Sequence, residues 1–215
     1  MGIDYPATKE SLRLAVNSMP HSNSNSLFVF CTDHGMANGD LVLWNQFISP
    51  EEFAEIFYST LNYRVRIFEF EQCFSGAFVE PLSSKNTIVV TAATDSELSW
   101  AMLPDYDYNT FNFFFNAAIK EELPQGYIYE VPPTAADVDR DGRVSIAEAF
   151  NYVVNLTNFN IQSTPWYNDD GTGVPKTSTV RILGSGSIGD LTYLGIITII
   201  SPTPIAQIIN NENIN

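Results

Sequence analysis

Residues 68–78 read Phe-Glu-Phe-Glu-Gln-Cys-Phe-Ser-Gly-Ala-Phe, and this stretch decides the fold. Its first half has the hydrophobic character of a strand, which breaks at Cys73 before small, turn-forming residues. A cysteine at the end of a buried strand is held rigidly and stays open to solvent, which is where α/β folds place their chemistry. The stretch therefore predicts a nucleophile at one edge of a sheet.

A second strand breaks in the same way earlier in the chain. Leu27–Phe30 is apolar and is followed by Cys31-Thr32-Asp33-His34-Gly35. If the two strands are parallel neighbours, their ends meet at the same edge of the sheet and bring His34 beside Cys73. A thiol next to an imidazole is a nucleophile with its base. Cys31 itself is expected to be a small buried hydrophobic residue.

Composition and charge narrow the classes of function. The chain has 215 residues, 45% of them hydrophobic and 13% aromatic, which indicates one globular domain with or without a small appendage. The net charge of −15 argues against nucleic acid and anionic membranes as partners. Met1–Lys9 is polar, so no signal peptide is expected, and the apolar run Leu194–Ile200 is too short to span a bilayer. Two cysteines cannot form a disulfide framework.

Strands alternate with helices along the first half of the chain, which predicts an α/β three-layer domain with a mostly parallel sheet. Helices are expected after Thr8, from Ser49 and from Thr110, where capping residues precede apolar positions at helical spacing. The expected strands are Leu27–Thr32, Arg64–Glu71 and Asn86–Ala93, with weaker signals at Ser178–Leu183 and Leu191–Ile200. The expected irregular segments are His21–Ser26, Asn168–Gly171, Gly184–Asp190 and the polar tail Asn210–Asn215; the type of Leu41–Ile48 stays open.

Three motifs, each after a predicted strand, resemble those of the caspase-like cysteine peptidases, and most closely those of the legumain branch. The resemblance extends over roughly Asp4–Ile119 and implies a three-layer caspase-like fold and peptide-bond hydrolysis. The motifs are Thr32-Asp33-His34-Gly35, Glu71-Gln72-Cys73-Phe74-Ser75-Gly76, and Thr91-Ala92-Ala93 with Glu97 and Ser99-Trp100-Ala101 at the family's offsets.

The resemblance implies specific roles for three residues. Cys73 would be the nucleophile of an endopeptidase that passes through a thioester, and His34 would be its general base and acid. The backbone N–H groups of Gly35 and Cys73 would form the oxyanion hole. The chemistry agrees, because a neighbouring imidazole favours the attacking thiolate and glycine lets backbone approach a developing oxyanion closely.

The resemblance also implies a substrate pocket lined by Glu71 and by the segment around Ser99 and Trp100. Legumain prefers asparagine before the cleaved bond. Leu98 stands where legumain has the first of two serines, so this preference does not transfer directly. An acidic pocket of Glu71 with Asp105 or Asp107 could equally take arginine or lysine.

The roles of two carboxylates at this site are left open. Glu71 is either the floor of the pocket or simply a carboxylate at a strand end. Asp33, counted with the substrate-binding residues, either orients His34 or caps the loop that carries it, because neighbouring side chains of an extended chain alternate in direction.

A twelve-residue segment beginning at Asp137 has the pattern of an EF-hand calcium loop. Carboxylates stand at positions one, three, five and twelve, glycine at six, a carbonyl ligand at seven and serine at nine, and carboxylates packed this closely repel one another without a cation. The ligands would be Asp137, Asp139, Asp141, the carbonyl of Arg143, Ser145 and Glu148. Pro132-Pro133 precedes the loop, so a dockerin-like half-hand without a regular entering helix is expected. Asn168, Asp169 and Asp170 either add ligands or form a plain turn.

These patterns divide the chain into three parts. The prediction is a peptidase core at residues 1–125, a calcium-loop and helix insertion at 126–157, and C-terminal strands with a tail at 158–215 that pack on the core. Caspase-like domains have two strands and a helix before the equivalent of Thr8. Their absence here would leave the strand before His34 at a sheet edge, to be covered by a partner chain or by a missing N-terminal segment.

Two further functions stay open beside the peptidase. One is a catalytically silent binding module that holds a protein or peptide through the same cleft, and the other is a calcium-stabilised structural fragment of a larger protein. A calcium loop without disulfides slightly favours an extracellular or periplasmic location, but the sequence does not fix the compartment.

Overall fold

The structure is a computed structural model. It describes residues 5–58, 62–102, 108–127, 132–156, 163–176 and 187–194, together with the backbone of 207–210. The helices are α1 (Lys9–Ser18), α2 (Pro50–Tyr58), α3 (Val79–Leu82), α4 (Thr110–Lys120) and α5 (Ile146–Asn155). The strands are β1 (Ser22–Cys31), β2 (Leu41–Leu43), β3 (Gln46–Ile48), β4 (Tyr63–Phe70), β5 (Thr87–Thr91), β6 (Trp166–Asn168) and β7 (Gln207–Asn210). Short 3-10 turns occupy Ser75–Phe78 and Pro133–Ala136.

A five-stranded sheet organises the domain in the order β6-β5-β4-β1-β7. The three inner strands β5, β4 and β1 are parallel, and the outer strands β6 and β7 are antiparallel to their neighbours. The predicted α/β class with a mostly parallel sheet is confirmed. In β4 and β5 nearly every residue toward the carboxyl end is buried, as expected of strands covered on both faces.

Two hydrophobic cores lie on opposite faces of the sheet and account for the three layers. One face packs against α1 and α2, where the phenylalanine rings of α2 contact those of β4; the rings of Phe53 and Phe70, for example, are 5.5 Å apart. The other face packs against α4 and α5, with Phe111 and Phe150 among the fully buried side chains. Each aromatic side chain of this size buries 150–250 Å² or so, so these rings dominate the hydrophobic stabilisation.

The predicted helix starts are confirmed at α1 and α2. The Thr8 side chain accepts a hydrogen bond from the N–H of Ser11. Ser49 and Glu52 form a capping box, in which each side chain accepts from the other's backbone N–H. The predicted start of α4 at Thr110 is also correct, and its cap is the preceding Asn109.

Two segments differ from the sequence prediction. The polar segment His21–Ser26 was expected to be a loop, but β1 already begins at Ser22, with an irregular register against β4 between Ser22 and Ser26. Backbone pairing with β4 does not require apolar side chains, so a polar segment can extend a strand beyond its buried part. The undecided segment Leu41–Ile48 contains the two-stranded hairpin β2–β3.

The edge of β1 is not left unpaired, contrary to the expectation from the resemblance. Residues Leu27–Phe30 of β1 pair with β7 in antiparallel register. Asn210, expected to open a polar tail, is the last residue of β7. The backbone of residues 207–210 therefore supplies the hydrogen-bonding partners that a bare edge would lack.

The end of the chain matches the sequence prediction only in part. Within the expected strand Leu191–Ile200, the described residues 191–194 contain a turn and an isolated bridge at Tyr193, and the remainder lies outside the described residues. The expected strand Ser178–Leu183 lies outside them as well. Among the helices that the structure describes, none combines the length and hydrophobicity needed to cross a membrane.

Candidate functional site

Strands β1 and β4 end side by side, and their two following loops form the candidate active site. Their parallel pairing runs as far as Cys31 opposite Phe70, and the N–H of Glu71 then donates to the carbonyl of Cys31 at 3.1 Å. His34 lies three residues beyond the end of β1 and Cys73 three residues beyond the end of β4. Both loops therefore leave the sheet at the same edge.

Gly35 brings the two loops into contact. A Cβ atom at this position would overlap the carbonyl oxygen of Cys73 and would lie 2.9 Å from its carbonyl carbon. It would also lie 3.0 Å from Cγ of Gln72. Since ordinary carbon contacts are about 3.5 Å or longer, only glycine fits here.

The sulfur of Cys73 is half-buried and is hydrogen-bonded to Ser99. The N–H of Ser99 donates to the sulfur at 3.3 Å, and the thiol reaches the carbonyl oxygen of Ser99 at 3.6 Å. These two contacts tie the sulfur to the backbone of the Ser99 segment. The imidazole of His34 is exposed, and within the described residues no hydrogen bond joins it to the sulfur.

The turn after Cys73 is tight and is hydrogen-bonded to the segment of the third motif, residues 91–101. Phe74 adopts a left-handed backbone conformation with φ of 59°, and its N–H donates to the carbonyl of Glu97 at 2.8 Å. The Ser75 hydroxyl donates to the carbonyl of Ala93 and accepts from its N–H. A Cβ on Gly76 would lie 2.7 Å from the Trp166 ring, which explains why the third residue after Cys73 is glycine.

Two buried carboxyl groups, those of Glu69 and Glu71, lie at the carboxyl end of β4. Glu71 is mostly buried and accepts a hydrogen bond from the Thr32 hydroxyl. Burial, assisted by repulsion from Asp33, raises the pKa of Glu71 to about 7. Glu69 is fully buried, and burial together with Glu71 raises its pKa well above the ordinary value. Near neutral pH this edge therefore carries less negative charge than its carboxyl count implies.

Asp33 is bonded to the backbone of the histidine loop. Its Oδ1 accepts a hydrogen bond from the N–H of His34 at 2.6 Å, as a loop-capping carboxylate does. Its backbone φ of 147° lies in a region that favours glycine. The second cysteine, Cys31, is free and fully buried, and burial strongly raises the pKa of its thiol, so it is an unreactive residue.

Only some of the residues predicted to line the substrate pocket lie next to the Cys73 sulfur. Ser99 contacts the sulfur, and the carbonyl of the following Trp100 accepts from the N–H and hydroxyl of Thr110. The Trp100 side chain is 45% exposed and that of Leu98 46%, so two apolar groups flank Ser99 at the surface. Asp105 and Asp107 lie outside the described residues.

Asn109 is a site residue that sequence reasoning missed. Its Nδ2 donates to the Glu71 carbonyl at 3.2 Å and to the Ser99 hydroxyl at 2.5 Å. The only sequence signal is an asparagine before a helix start, which predicts a cap but not these tertiary contacts.

The predicted calcium loop forms a separate candidate metal centre. One oxygen from each of Asp137, Asp139 and Asp141 lies within 4.8 Å of the other two. Gly142 has φ of 83°, and its N–H donates to Asp137 Oδ2 at 3.1 Å. In the part of the chain that the structure describes, this is the only cluster of three or more potential metal-binding carboxylate, imidazole or thiol groups.

Two of the remaining predicted ligands, Ser145 and Glu148, form hydrogen bonds within the loop. Glu148 is buried; its Oε1 accepts from the N–H groups of Val138 and Asp139, and its Oε2 accepts from the N–H and hydroxyl of Ser145. This includes the capping box predicted for α5. Arg143 projects its guanidinium over the ring of Tyr193 at 3.9 Å.

The predicted additional ligands are engaged elsewhere. Asp169 and Asp170 pair with Lys176 at 2.6 and 3.1 Å. Neither belongs to the carboxylate cluster of the loop. Asn168 donates to Asp170 and to the carbonyl of Val174, which is the plain-turn alternative.

A mostly parallel sheet with a cysteine and a histidine on adjoining loops at one edge is consistent with the fold of a caspase-like cysteine peptidase. A model of the Peptidase C13 family matches residues 9–160, and the chain belongs to this family. Membership confirms the resemblance to the legumain branch and indicates a cysteine-type peptidase that acts on proteins or peptides. No curated protein matches the chain.

Proposed function

We propose that this chain is an endopeptidase in which Cys73 is the nucleophile and His34 the general base and acid. The contact between Gly35 and the Cys73 carbonyl carries this proposal, because it holds the histidine loop against the cysteine loop. His34 is exposed, so its ring can turn toward the sulfur without displacing packed side chains.

Bond making and breaking would follow the usual order for a thiol nucleophile. The Cys73 sulfur attacks the carbonyl carbon of the peptide, and the proton that it loses is held on His34. The imidazolium gives this proton to the leaving amine as the C–N bond breaks, which leaves a thioester on Cys73. Water then attacks the thioester with His34 as base, and the acid product and the free thiol are released.

Two backbone donors support an oxyanion hole. In the described part of the chain, the N–H groups of Gly35 and Cys73 donate to no other backbone or side-chain group. Buried or half-buried N–H groups are normally hydrogen-bonded. Because these two have no partner among the described residues, each is available to donate to an oxygen atom of a bound substrate. Removal of one such donor costs roughly a hundredfold to a thousandfold in kcat.

Glu71, Ser99, Trp100 and Asp33 would contact the substrate next to the cleaved bond. With a pKa of about 7, Glu71 can donate a hydrogen bond when protonated or attract a cation when ionised. Asparagine before the cleaved bond would use the first state, and arginine or lysine the second. Paired peptides that differ only at this residue, assayed at pH 6 and pH 8, distinguish the two preferences.

Calcium would bind the loop 137–148 and stabilise this part of the chain. Three observations support a cation: the three clustered aspartates, the turn at Gly142, and Oδ1 of Asp137, which is buried and has no hydrogen-bond partner among the residues that the structure describes. The carbonyl of Arg143, Ser145 and Glu148 would complete the oxygen ligands that calcium prefers. Glu148 would have to exchange some of its present N–H partners for the ion.

A cleavage assay tests the peptidase proposal. The wild-type chain, Cys73→Ala and Cys31→Ala are each incubated with a peptide library and calcium, and products are identified by mass spectrometry. Cleavage by the wild type and by Cys31→Ala, but not by Cys73→Ala, is the expected result. Cleavage that survives Cys73→Ala contradicts the assigned nucleophile.

The catalytically silent binding module is the second candidate. The sulfur is bonded to Ser99 rather than to the imidazole, which is the observation that favours it. Absence of cleavage by the wild type, together with retention of uncleaved library peptides that Cys73→Ala also retains, would establish it.

A further inference from the structure

Asn109 uses every hydrogen-bonding position of its side-chain amide. Both Nδ2 hydrogens are donated, one to the Glu71 carbonyl and one to the Ser99 hydroxyl. Its Oδ1 accepts from the N–H groups of Phe111 and Asn112 in the first turn of α4. A primary amide has two donors and two acceptor lone pairs, so this side chain is saturated.

Saturation makes the half-buried Asn109 unlike two fully buried amides, Gln72 and Asn112. Gln72 and Asn112 are both buried, and neither amide has a hydrogen-bond partner among the described residues. The contacts of Asn109 also fix the orientation of its amide, because a reversed amide would face the helix N–H groups with its own donor.

Two of the three segments that Asn109 joins lie next to Cys73, and the third is the start of α4. Glu71 is the first residue after β4 and lies two residues before Cys73, and Ser99 supplies the N–H that bonds to the Cys73 sulfur at 3.3 Å. The same segment is held to α4 by the hydrogen bond from the N–H of Thr110 to the Trp100 carbonyl at 2.9 Å. The position of the Ser99 N–H relative to the sulfur therefore depends on the start of α4.

We infer that Asn109 is a positioning residue for the nucleophile: through its two Nδ2 hydrogen bonds it holds the Ser99 N–H against the Cys73 sulfur. The inference rests on the proposed function only in taking Cys73 as the nucleophile. Asn109 does not touch the sulfur and acts through Ser99. Its capping of α4 and its hold on Ser99 use different atoms, Oδ1 and Nδ2, and can be separated by substitution.

Asn109→Asp separates the two functions. Aspartate is as good a helix cap as asparagine, so Oδ1 still satisfies α4, but the carboxylate cannot donate to the Glu71 carbonyl and can only accept a hydrogen bond from the Ser99 hydroxyl. Asn109→Ser also keeps a cap and loses the donor, without adding charge. Ser49→Ala is the matched control, because it removes the cap of α2 at a position with no hydrogen bond to Cys73, Ser99 or Glu71.

The first readout is independent of peptide cleavage. The rate at which iodoacetamide alkylates Cys73 is measured by mass spectrometry across pH 5–9, with the buried Cys31 as internal reference. We expect both Asn109 variants to shift the profile to higher pH and to lower the rate at pH 7 by about tenfold, since the thiolate loses a fixed donor. Ser49→Ala should lower the melting temperature and leave the profile unchanged.

The second readout is kinetic. For a peptide that the wild type cleaves, both Asn109 variants should lower kcat about tenfold with little change in KM. If the variants fold less well, Ser99→Ala, which removes the hydroxyl acceptor, should shift the alkylation profile in the same direction. The double variant should then shift it no further than Asn109→Ser alone, because the hydrogen bond that Ser99→Ala removes is one of the two that Asn109→Ser removes.

The outcomes for the inference and for the proposed function are distinct. An alkylation profile unchanged in Asn109→Asp, Asn109→Ser and Ser99→Ala overturns the positioning role, even if Cys73→Ala abolishes cleavage. A shifted profile in a chain that cleaves no peptide keeps the positioning role and refutes the peptidase.

Discussion

Substitution of Gly35 by alanine tests whether the histidine and cysteine loops are in contact. An alanine Cβ would lie 2.9 Å from the Cys73 carbonyl carbon and closer to its oxygen. The nearer oxygen sets the size of the shift: to bring it to an ordinary contact distance, the loops must separate by about 1 Å or more. The two nearest atoms belong to the Cys73 backbone, so the strain against them cannot be relieved by a change of rotamer.

Gly35→Ala is expected to lower both the stability of the chain and its rate of peptide cleavage. Overpacking of this kind lowers the free energy of unfolding by about 1–3 kcal/mol. Separation of the loops also moves the Gly35 N–H relative to Cys73, so the rate of peptide cleavage should fall by roughly a hundredfold or more. Urea unfolding followed by tryptophan fluorescence measures the loss of stability, and kcat/KM for a cleaved peptide measures the loss of cleavage.

Gly126 provides the matched control. A Cβ there meets nothing within 4 Å, but φ is +95°, so alanine is strained by backbone conformation alone. Gly126→Ala should lower stability by about 1 kcal/mol or more and leave kcat/KM unchanged. A Gly35→Ala chain with wild-type stability and wild-type cleavage would show that the two loops do not touch, and the argument for the active site would fail.

Two further perturbations test the electrostatics. The folded pKa of Glu71 is about 7 against an ordinary 4.5, so the folded state holds its proton more tightly and the free energy of unfolding should fall by about 3 kcal/mol as pH rises from 4.5 to 7. Glu71→Gln should flatten this decrease in urea titrations across that range, and an equal slope in both proteins would count against it. Calcium at a hundred times its dissociation constant should stabilise the wild type by about 2.7 kcal/mol, and EDTA should reverse the rise in melting temperature. Asp137→Asn should abolish the response and Asp170→Asn should keep it; a calcium response retained by Asp137→Asn would refute the site.

The parts of the fold that were predictable are those with a local signal. A nearly continuous apolar and β-branched run marks β5, hydrophobic residues interrupted by charges mark β4, and capping residues mark the starts of α1 and α2. The class of fold follows, because parallel buried strands require helices on both faces.

The parts that were missed depend on contacts between distant segments. β7 pairs with β1 through backbone groups, and nothing in the local sequence of either strand indicates that partner. The polar start of β1 has no apolar alternation, so only its pairing with β4 makes it a strand. Local pattern cannot supply such register information.

The candidate site likewise contains residues that a local motif predicts and residues whose role depends on contacts between distant segments. Cys73 and His34 were found because each follows a recognisable strand within a motif. Asn109 was not found, since its contacts with Glu71 and Ser99 depend on where α4 begins relative to the sheet. The pKa of Glu71 likewise depends on burial, which the sequence does not give.

The pairing of β7 with β1 has a consequence for biosynthesis. The strand that ends at the histidine loop is made early, and its outer neighbour is among the last described segments to leave the ribosome. During translation, the parallel inner strands can assemble before β7, which pairs with the outer edge of β1, has been synthesised. A nascent chain halted before residue 207 would therefore expose that flank to other extended polypeptides, and the interval before closure is when chaperone binding would protect it most.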